Sequence, residues 1–135
     1  MENRAIPFRE TRRIHRVCES AEDYTELIAD LIKIQEQVRV CDVARKMGIS
    51  HVTVLKTIKR LIRDGYVTKN RNFLELTLKG KETAVFSQKR HLILSAFLLK
   101  LGVPKEVVAT DVEGIEHHVS AKTLQAIEDH LEQLK

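Results

Sequence analysis

The stretch D-V-A-R-K-M-G-I-S-H-V-T-V-L-K-T-I-K-R-L-I-R-D-G, residues 42–65, decides the fold. Asp42 can cap a short helix over 43–47 that stops at Gly48, glycine being the residue that most readily takes the left-handed conformation ending a helix. Ser50 offers an N-cap for a second helix from His51 to about Arg63, in which Val54, Ile58, Leu61 and Ile62 recur on one face. Thr53, Lys56, Thr57, Lys59, Arg60 and Arg63 are left largely outward. Asp64-Gly65 ends that helix, and Tyr66–Lys69, a polar Asn70-Arg71-Asn72 tip and Phe73–Leu78 read as a β-hairpin. Helix, tight turn, helix and hairpin together predict a winged helix-turn-helix.

In such a unit the first helix props the second, whose N-terminal and outward side chains enter the major groove of double-stranded DNA while basic residues meet phosphates. Ser50, His51, Val52, Thr53 and Lys56 stand where base edges are read. Lys59, Arg60, Arg63, Lys69 and the wing residue Arg71 stand where phosphates are met. The charge distribution agrees: residues 39–71 carry nine Lys and Arg against two acids, although the whole chain has a net charge of only +4. A concentrated positive segment suits a polyanion. A helical hairpin with a solvated basic face would give the same charge count, but would leave the wing unexplained.

Working outward, residues 1–19 hold five arginines and few apolar residues, which predicts a mobile basic arm. Ser20 is expected to cap a first helix carrying Tyr24, Leu27, Ile28, Leu31 and Ile32 to about Gln37. Beyond the wing, a helix over 81–101 is apolar around most of its C-terminal half and needs cover on several sides, which predicts a homodimer. Gly102-Val103-Pro104 breaks it, a helix over 105–118 follows, and Ser120 caps a last amphipathic helix. The expected organisation is mainly α: a basic arm at 1–19, a winged helix-turn-helix DNA-binding domain at 20–79 and a helical dimerisation and metal-binding domain at 80–135.

Two cysteines among 135 residues, Cys18 and Cys41, with no C-x-x-C, suggest neither a disulfide framework nor a structural zinc site. The chain has no signal-peptide-like apolar region and no run long enough to span a bilayer, so a soluble cytoplasmic protein without membrane contact is expected. Nothing marks a pocket for a small organic substrate.

The segment 105–135 reverses the charge, with seven acids against three lysines. Within V-E-G-I-E-H-H at 112–118, Glu113, Glu116 and His117 sit at i, i+3 and i+4, sharing one helix face as metal ligands do but supplying only half a coordination shell. Candidate partners are Asp23 and Glu26, at i and i+3 on the first helix, and His91. Each also has a plain reading: Ser20-x-x-Asp23 has capping-box spacing, Glu26 suits a surface acid, His91 a hydrogen-bonded core histidine, and Glu113 with Glu116 a solvated face. Gly114 sacrifices about 1 kcal/mol relative to Ala inside a helix. Close backbone approach or a carbonyl facing an ion would explain it.

D-Y-T-E-L-I at 23–28, T-V-L-K-T-I-K-R-L at 53–61, R-H at 90–91 and above all D-V-E-G-I-E-H-H-V-S at 111–120 resemble the manganese-responsive branch of the diphtheria toxin repressor family, in order over residues 20–135. The resemblance implies a homodimeric repressor of manganese uptake genes that binds operator DNA when metal is bound, and not an enzyme. It implies Asp23, Glu26, His91, Glu113, Glu116 and His117 as ligands of a two-ion Mn2+ site in each subunit, with the Gly114 carbonyl assisting, and no SH3-like third domain. Four carboxylates and two imidazoles, without sulfur, suit Mn2+. In iron-responsive relatives a Met and a Cys replace Asp23 and Glu113. The alternatives are an iron-responsive or metal-independent winged-helix regulator and, further off, a small carboxylate-bridged metalloenzyme. The I-S-H-V-T-V turn at 49–54 lacks the Pro or small polar residues expected near 51 and 52, so the resemblance does not carry over an operator sequence.

Overall fold

The structure is a computed structural model that describes residues 8–134, with side chains from Ser20 onward. Its elements are α1 (Phe8–Ile34), α2 (Val40–Met47), α3 (His51–Arg63), β1 (Val67–Asn70), β2 (Phe73–Leu76), α4 (Leu78–Lys100), α5 (Lys105–Ile115), a 3-10 turn (Glu116–His118) and α6 (Ala121–Gln133). Two compact units are present, one of residues Arg16–Val85 and the other of Phe86–Lys135 with the start of α1.

In the first unit, Tyr24, Ile28 and Leu31 of α1, Val43 and Ala44 of α2, Val54, Ile58 and Leu61 of α3, and Val67, Leu74 and Leu76 of the hairpin form one core. Isolated helices shorter than about 12–15 residues are marginal in water. The eight-residue α2 therefore depends on this burial. Gly48 ends it at φ 71°, and its N–H donates to Ala44 O at 2.9 Å. Two residues later the Ser50 hydroxyl accepts the Thr53 N–H at 3.2 Å and starts α3. This turn and the antiparallel hairpin, with Asn70 opposite Phe73 across Arg71-Asn72, give the winged helix-turn-helix that the sequence predicts. Arg71 has φ 61°, the only positive value at a non-glycine residue among the described residues. The outer edge of β2 is covered where Leu74 N–H donates to Val38 O at 2.7 Å.

Several boundaries differ from expectation. Helix α1 begins at Phe8, so Ser20 is helix interior and Ser20-x-x-Asp23 is not a capping box. Residues 8–19, expected as a mobile arm, are helical; residues 1–7 of that arm lie outside the described residues. Asp42 is the third residue of α2, and its carboxylate reaches back to accept the Arg39 N–H at 2.8 Å instead of capping from in front. Helix α4 starts at Leu78, three residues early, because Thr77 acts as its cap: the Thr77 hydroxyl accepts the Gly80 N–H at 3.0 Å and donates to Gly65 O at 2.6 Å. At Gly80 a Cβ would collide with the Tyr66 carbonyl oxygen, so only glycine fits.

In the second unit Leu94 of α4, Val108 and Val112 of α5 and Leu124 of α6 form a smaller core with Ile93, Leu98 and Ile127 packed around it. The other side of α4 stays open, with Leu92 68% and Leu99 48% exposed. Leu92, Ile93, Ala96, Leu99 and Leu131 line an apolar groove of about 530 Å³. Helix α5 ends at Ile115, short of the expected 118, and tightens into the 3-10 turn before Ser120 caps α6 by accepting the Thr123 N–H at 3.2 Å. No described helix is long and apolar enough to cross a membrane.

Candidate metal centre and nucleic-acid interface

Val108, Val112 and Glu116 follow one another at intervals of four, so the apolar stripe of α5 points its next position inward and a carboxylate occupies it. Glu116 is 5% exposed. A carboxylate removed from water needs partners. Its Oε2 lies 2.8 Å from Nδ1 of His91, and its Oε1 lies 3.5 Å from Nε2 of the buried His117 side chain. Imidazoles from α4 and from the 3-10 turn thus flank one buried acid.

Glu113 is exposed on α5. On α1, Asp23 is exposed and Glu26 half-buried, and both are engaged by polar neighbours. Among the described residues no three His, Cys, Asp or Glu side chains converge tightly enough to hold a metal ion. A Cβ at Gly114 would meet nothing within 4 Å, so the close backbone approach expected there is not found.

The donors present nonetheless fit a divalent cation. Oxygen and imidazole donors without sulfur select hard or borderline ions.

Along α3 the proposed DNA-facing residues His51, Val52, Thr53, Lys56 and Lys59 are exposed, as are Ser50 before it and Arg71 at the hairpin tip. Ser50 is already committed: besides capping, its hydroxyl shares a 2.8 Å hydrogen bond with the Thr53 hydroxyl. Arg60 is half-buried, and its Nε and Nη2 are covered without a hydrogen-bond partner. Sequence reasoning passed over Arg39, whose guanidinium lies 5.1 Å from the centre of the Phe73 ring. Only the outward position of Arg39 in Val38-Arg39-Val40 hints at it.

Residues 16–72 match the profile of the iron dependent repressor N-terminal DNA binding domain, and residues 77–135 that of the iron dependent repressor metal binding and dimerisation domain. The chain is 43% identical to the transcriptional regulator MntR of Escherichia coli O157:H7 over 120 residues, covering 88% of this chain and 77% of that protein. It is 38% identical to the HTH-type transcriptional regulator MntR of Bacillus subtilis (strain 168), over 82% of this chain and 78% of that one. Among solved structures it is similar to a manganese-dependent transcriptional repressor complex with manganese, with TM-score 0.71 and 29% identity over 83% of this chain and 52% of that one. It is also similar to the manganese regulator SloR, with TM-score 0.72 and 25% identity over 83% and 53%. The chain thus spans about half the length of these two solved chains.

Proposed function

The chain belongs to the iron dependent repressor family of metal-responsive, DNA-binding transcriptional repressors and is not an enzyme, and on that footing we propose that it is a manganese-responsive repressor of manganese uptake genes, binding its operator as a homodimer. Asp23, Glu26, His91, Glu113, Glu116 and His117 are the proposed ligands of two Mn2+ ions in each subunit, and the buried Glu116 with the imidazoles beside it supports that set. Ser50, His51, Val52, Thr53 and Lys56 are proposed to face bases, and Lys59, Arg60 and Arg71 to meet phosphates. The exposed leucines and apolar groove of α4 and α6 support burial against a second copy.

One observation carries the metal reading: Glu116, buried and held by His91 at 2.8 Å, lies inside the segment that matches a metal binding and dimerisation domain. Bound cations supply the positive charge that lets four carboxylates share one site. Asp23 and Glu26 on α1, and Glu113, are proposed to complete the set. Helix α1 also packs through Tyr24, Ile28 and Leu31 into the core that supports α3. Metal affinity is thereby linked to the arrangement of the reading helix, and the response is a population shift whose size equals the difference in metal affinity between the two states. Two recognition helices then meet half-sites about 34–36 Å apart or a multiple of that.

The test is fluorescence anisotropy of the protein on its own upstream DNA, titrated with Mn2+, Fe2+ or Zn2+ or with chelator present. Binding that requires Mn2+ and is abolished by chelator is expected. Equal binding in chelator would leave a constitutive DNA-binding protein instead.

A further inference from the structure

The geometry points to a phosphate-binding pocket centred on Arg39, which clamps one operator phosphate between the reading helix and the tip of the wing. This rests on the DNA-binding reading above and adds a site to it. The pocket has a volume of about 290 Å³ and lies within the first unit, lined by Arg39, Cys41, His51, Leu55, Lys69 and Asn72. Its residues come from the start of α2, the first turns of α3, the strand β1 and the hairpin turn, and no acidic side chain lines it.

Two features make this more than a basic surface. The Arg39 guanidinium is held against the Phe73 ring at 5.1 Å, so the loss of side-chain freedom on binding an anion is partly met beforehand. Neither Arg39 nor Lys69 has an ion-pair partner among the described residues. The nearby acid is already engaged: the Asp42 carboxylate accepts the Arg39 backbone N–H at 2.8 Å and Gln35 Nε2 at 3.1 Å and faces Arg45 at 3.6 Å. Two unpaired cations on separate elements, beside the imidazole of His51 and the amide of Asn72, match the charge and the donor needs of a phosphodiester.

Its place argues for DNA as the source of that phosphate. His51 is the first residue of the reading helix, and Lys69 and Asn72 belong to the wing. A phosphate seated between them belongs to a strand that α3 and the wing grip together. Such a contact sets the register of α3 on the duplex without itself specifying sequence.

The experiment uses the Mn2+-loaded full chain and compares wild type, Arg39→Ala and Arg39→Lys for affinity to upstream and random DNA across salt. Arg39→Ala is expected to weaken both DNAs alike. Losing one phosphate contact per protomer lowers the salt slope by about 0.9, or about 1.8 for a dimer, so the fall in affinity between 50 and 200 mM salt becomes about twelvefold smaller. Arg39→Lys, which keeps the charge but not the planar stacking group, is expected to keep the slope with reduced affinity. Replacing operator phosphates one at a time by neutral methylphosphonates should reveal one position per half-site that matters to wild type and not to Arg39→Ala. Thermal unfolding checks that each variant is folded, and Arg39→Lys carries the test if Arg39→Ala is not.

An Arg39→Ala protein that is folded and keeps the wild-type slope and methylphosphonate profile overturns the proposal. So does saturable binding of inorganic phosphate to the DNA-free protein that Arg39→Ala abolishes without any change in DNA affinity, which would make this a free-anion site. Wild type that fails to bind DNA with Mn2+ present removes the broader reading first, and is a different outcome from either.

Discussion

Arg71 occupies a conformation that its side chain does not favour, and replacing it should strengthen the fold while weakening the function. In a two-residue hairpin turn, positive φ at the first central residue is normally supplied by Gly, Asn or Asp. Here Arg71 adopts φ 61° at that position. The left-handed region costs a typical L-residue about 1–2 kcal/mol, and Asn less because its short polar side chain is tolerated there. Arg71→Asn should therefore recover about 0.5–1 kcal/mol. For a unit the size of Arg16–Val85 this corresponds to a rise in Tm of about 2–8 °C. Asn avoids the added backbone freedom that Gly would give the unfolded chain. The same variant loses the wing's guanidinium, so its DNA affinity should fall on all sequences and its salt slope should drop by about one per protomer. Thermal unfolding without metal, at one fixed protein concentration because a dimer's Tm depends on it, reads the first effect. Anisotropy across salt reads the second. An unchanged Tm would mean the turn is not strained as argued, and a raised Tm with unaltered DNA binding would mean the strain is not retained for a DNA contact.

Glu116→Gln keeps the volume of the buried group and one of its two acceptor oxygens but removes its charge, so the fold should persist while the Mn2+ midpoint for DNA binding moves up by at least about 100-fold; a midpoint within threefold of wild type would remove Glu116 from the ligand set. Gly80→Ala drives a Cβ into the Tyr66 carbonyl and should cost about 1–3 kcal/mol, seen as a lower denaturation midpoint, and a neutral outcome would contradict the close approach described. Lys56→Ala, exposed on α3, should cost about 1–3 kcal/mol on the operator and distinctly less on random DNA. Equal losses on both would reassign Lys56 to phosphate contact.

The helix-turn-helix was legible because its punctuation is local. Gly48 and Ser50 act within one turn of themselves, and a left-handed C′ glycine followed by a hydroxyl cap has few other uses. Ser20-x-x-Asp23 carries the same letters as a cap, yet it sits inside α1, whose chain simply continues upstream in helical form. A capping pattern states that a helix can begin there, not that it must. The glycines show the same limit. Gly114 invites a packing explanation and has none, whereas Gly80 looks ordinary and is indispensable to a contact with Tyr66, fourteen positions away. Spacing singled out Glu113, Glu116 and His117 and offered Asp23, Glu26 and His91 as candidate partners, but only the resemblance joined the six into one site. The contact between His91 and Glu116 joins residues 25 positions apart, a separation that no local pattern reaches.

The wing is a sheet of only two strands, and its two edges are treated differently. The backbone of β2 is closed off by Val38, which takes the Leu74 N–H. On the other side, Thr68, Lys69 and Asn70 of β1 are all exposed, and no further strand pairs with β1 among the described residues. An open edge is a template on which another copy's strand can polymerise, and a charged side chain on it is a common deterrent. Lys69 therefore guards the protein against aggregation whenever DNA is absent. Any substitution that turns this edge apolar should show itself first as loss of soluble protein in storage, before any defect in regulation could be measured.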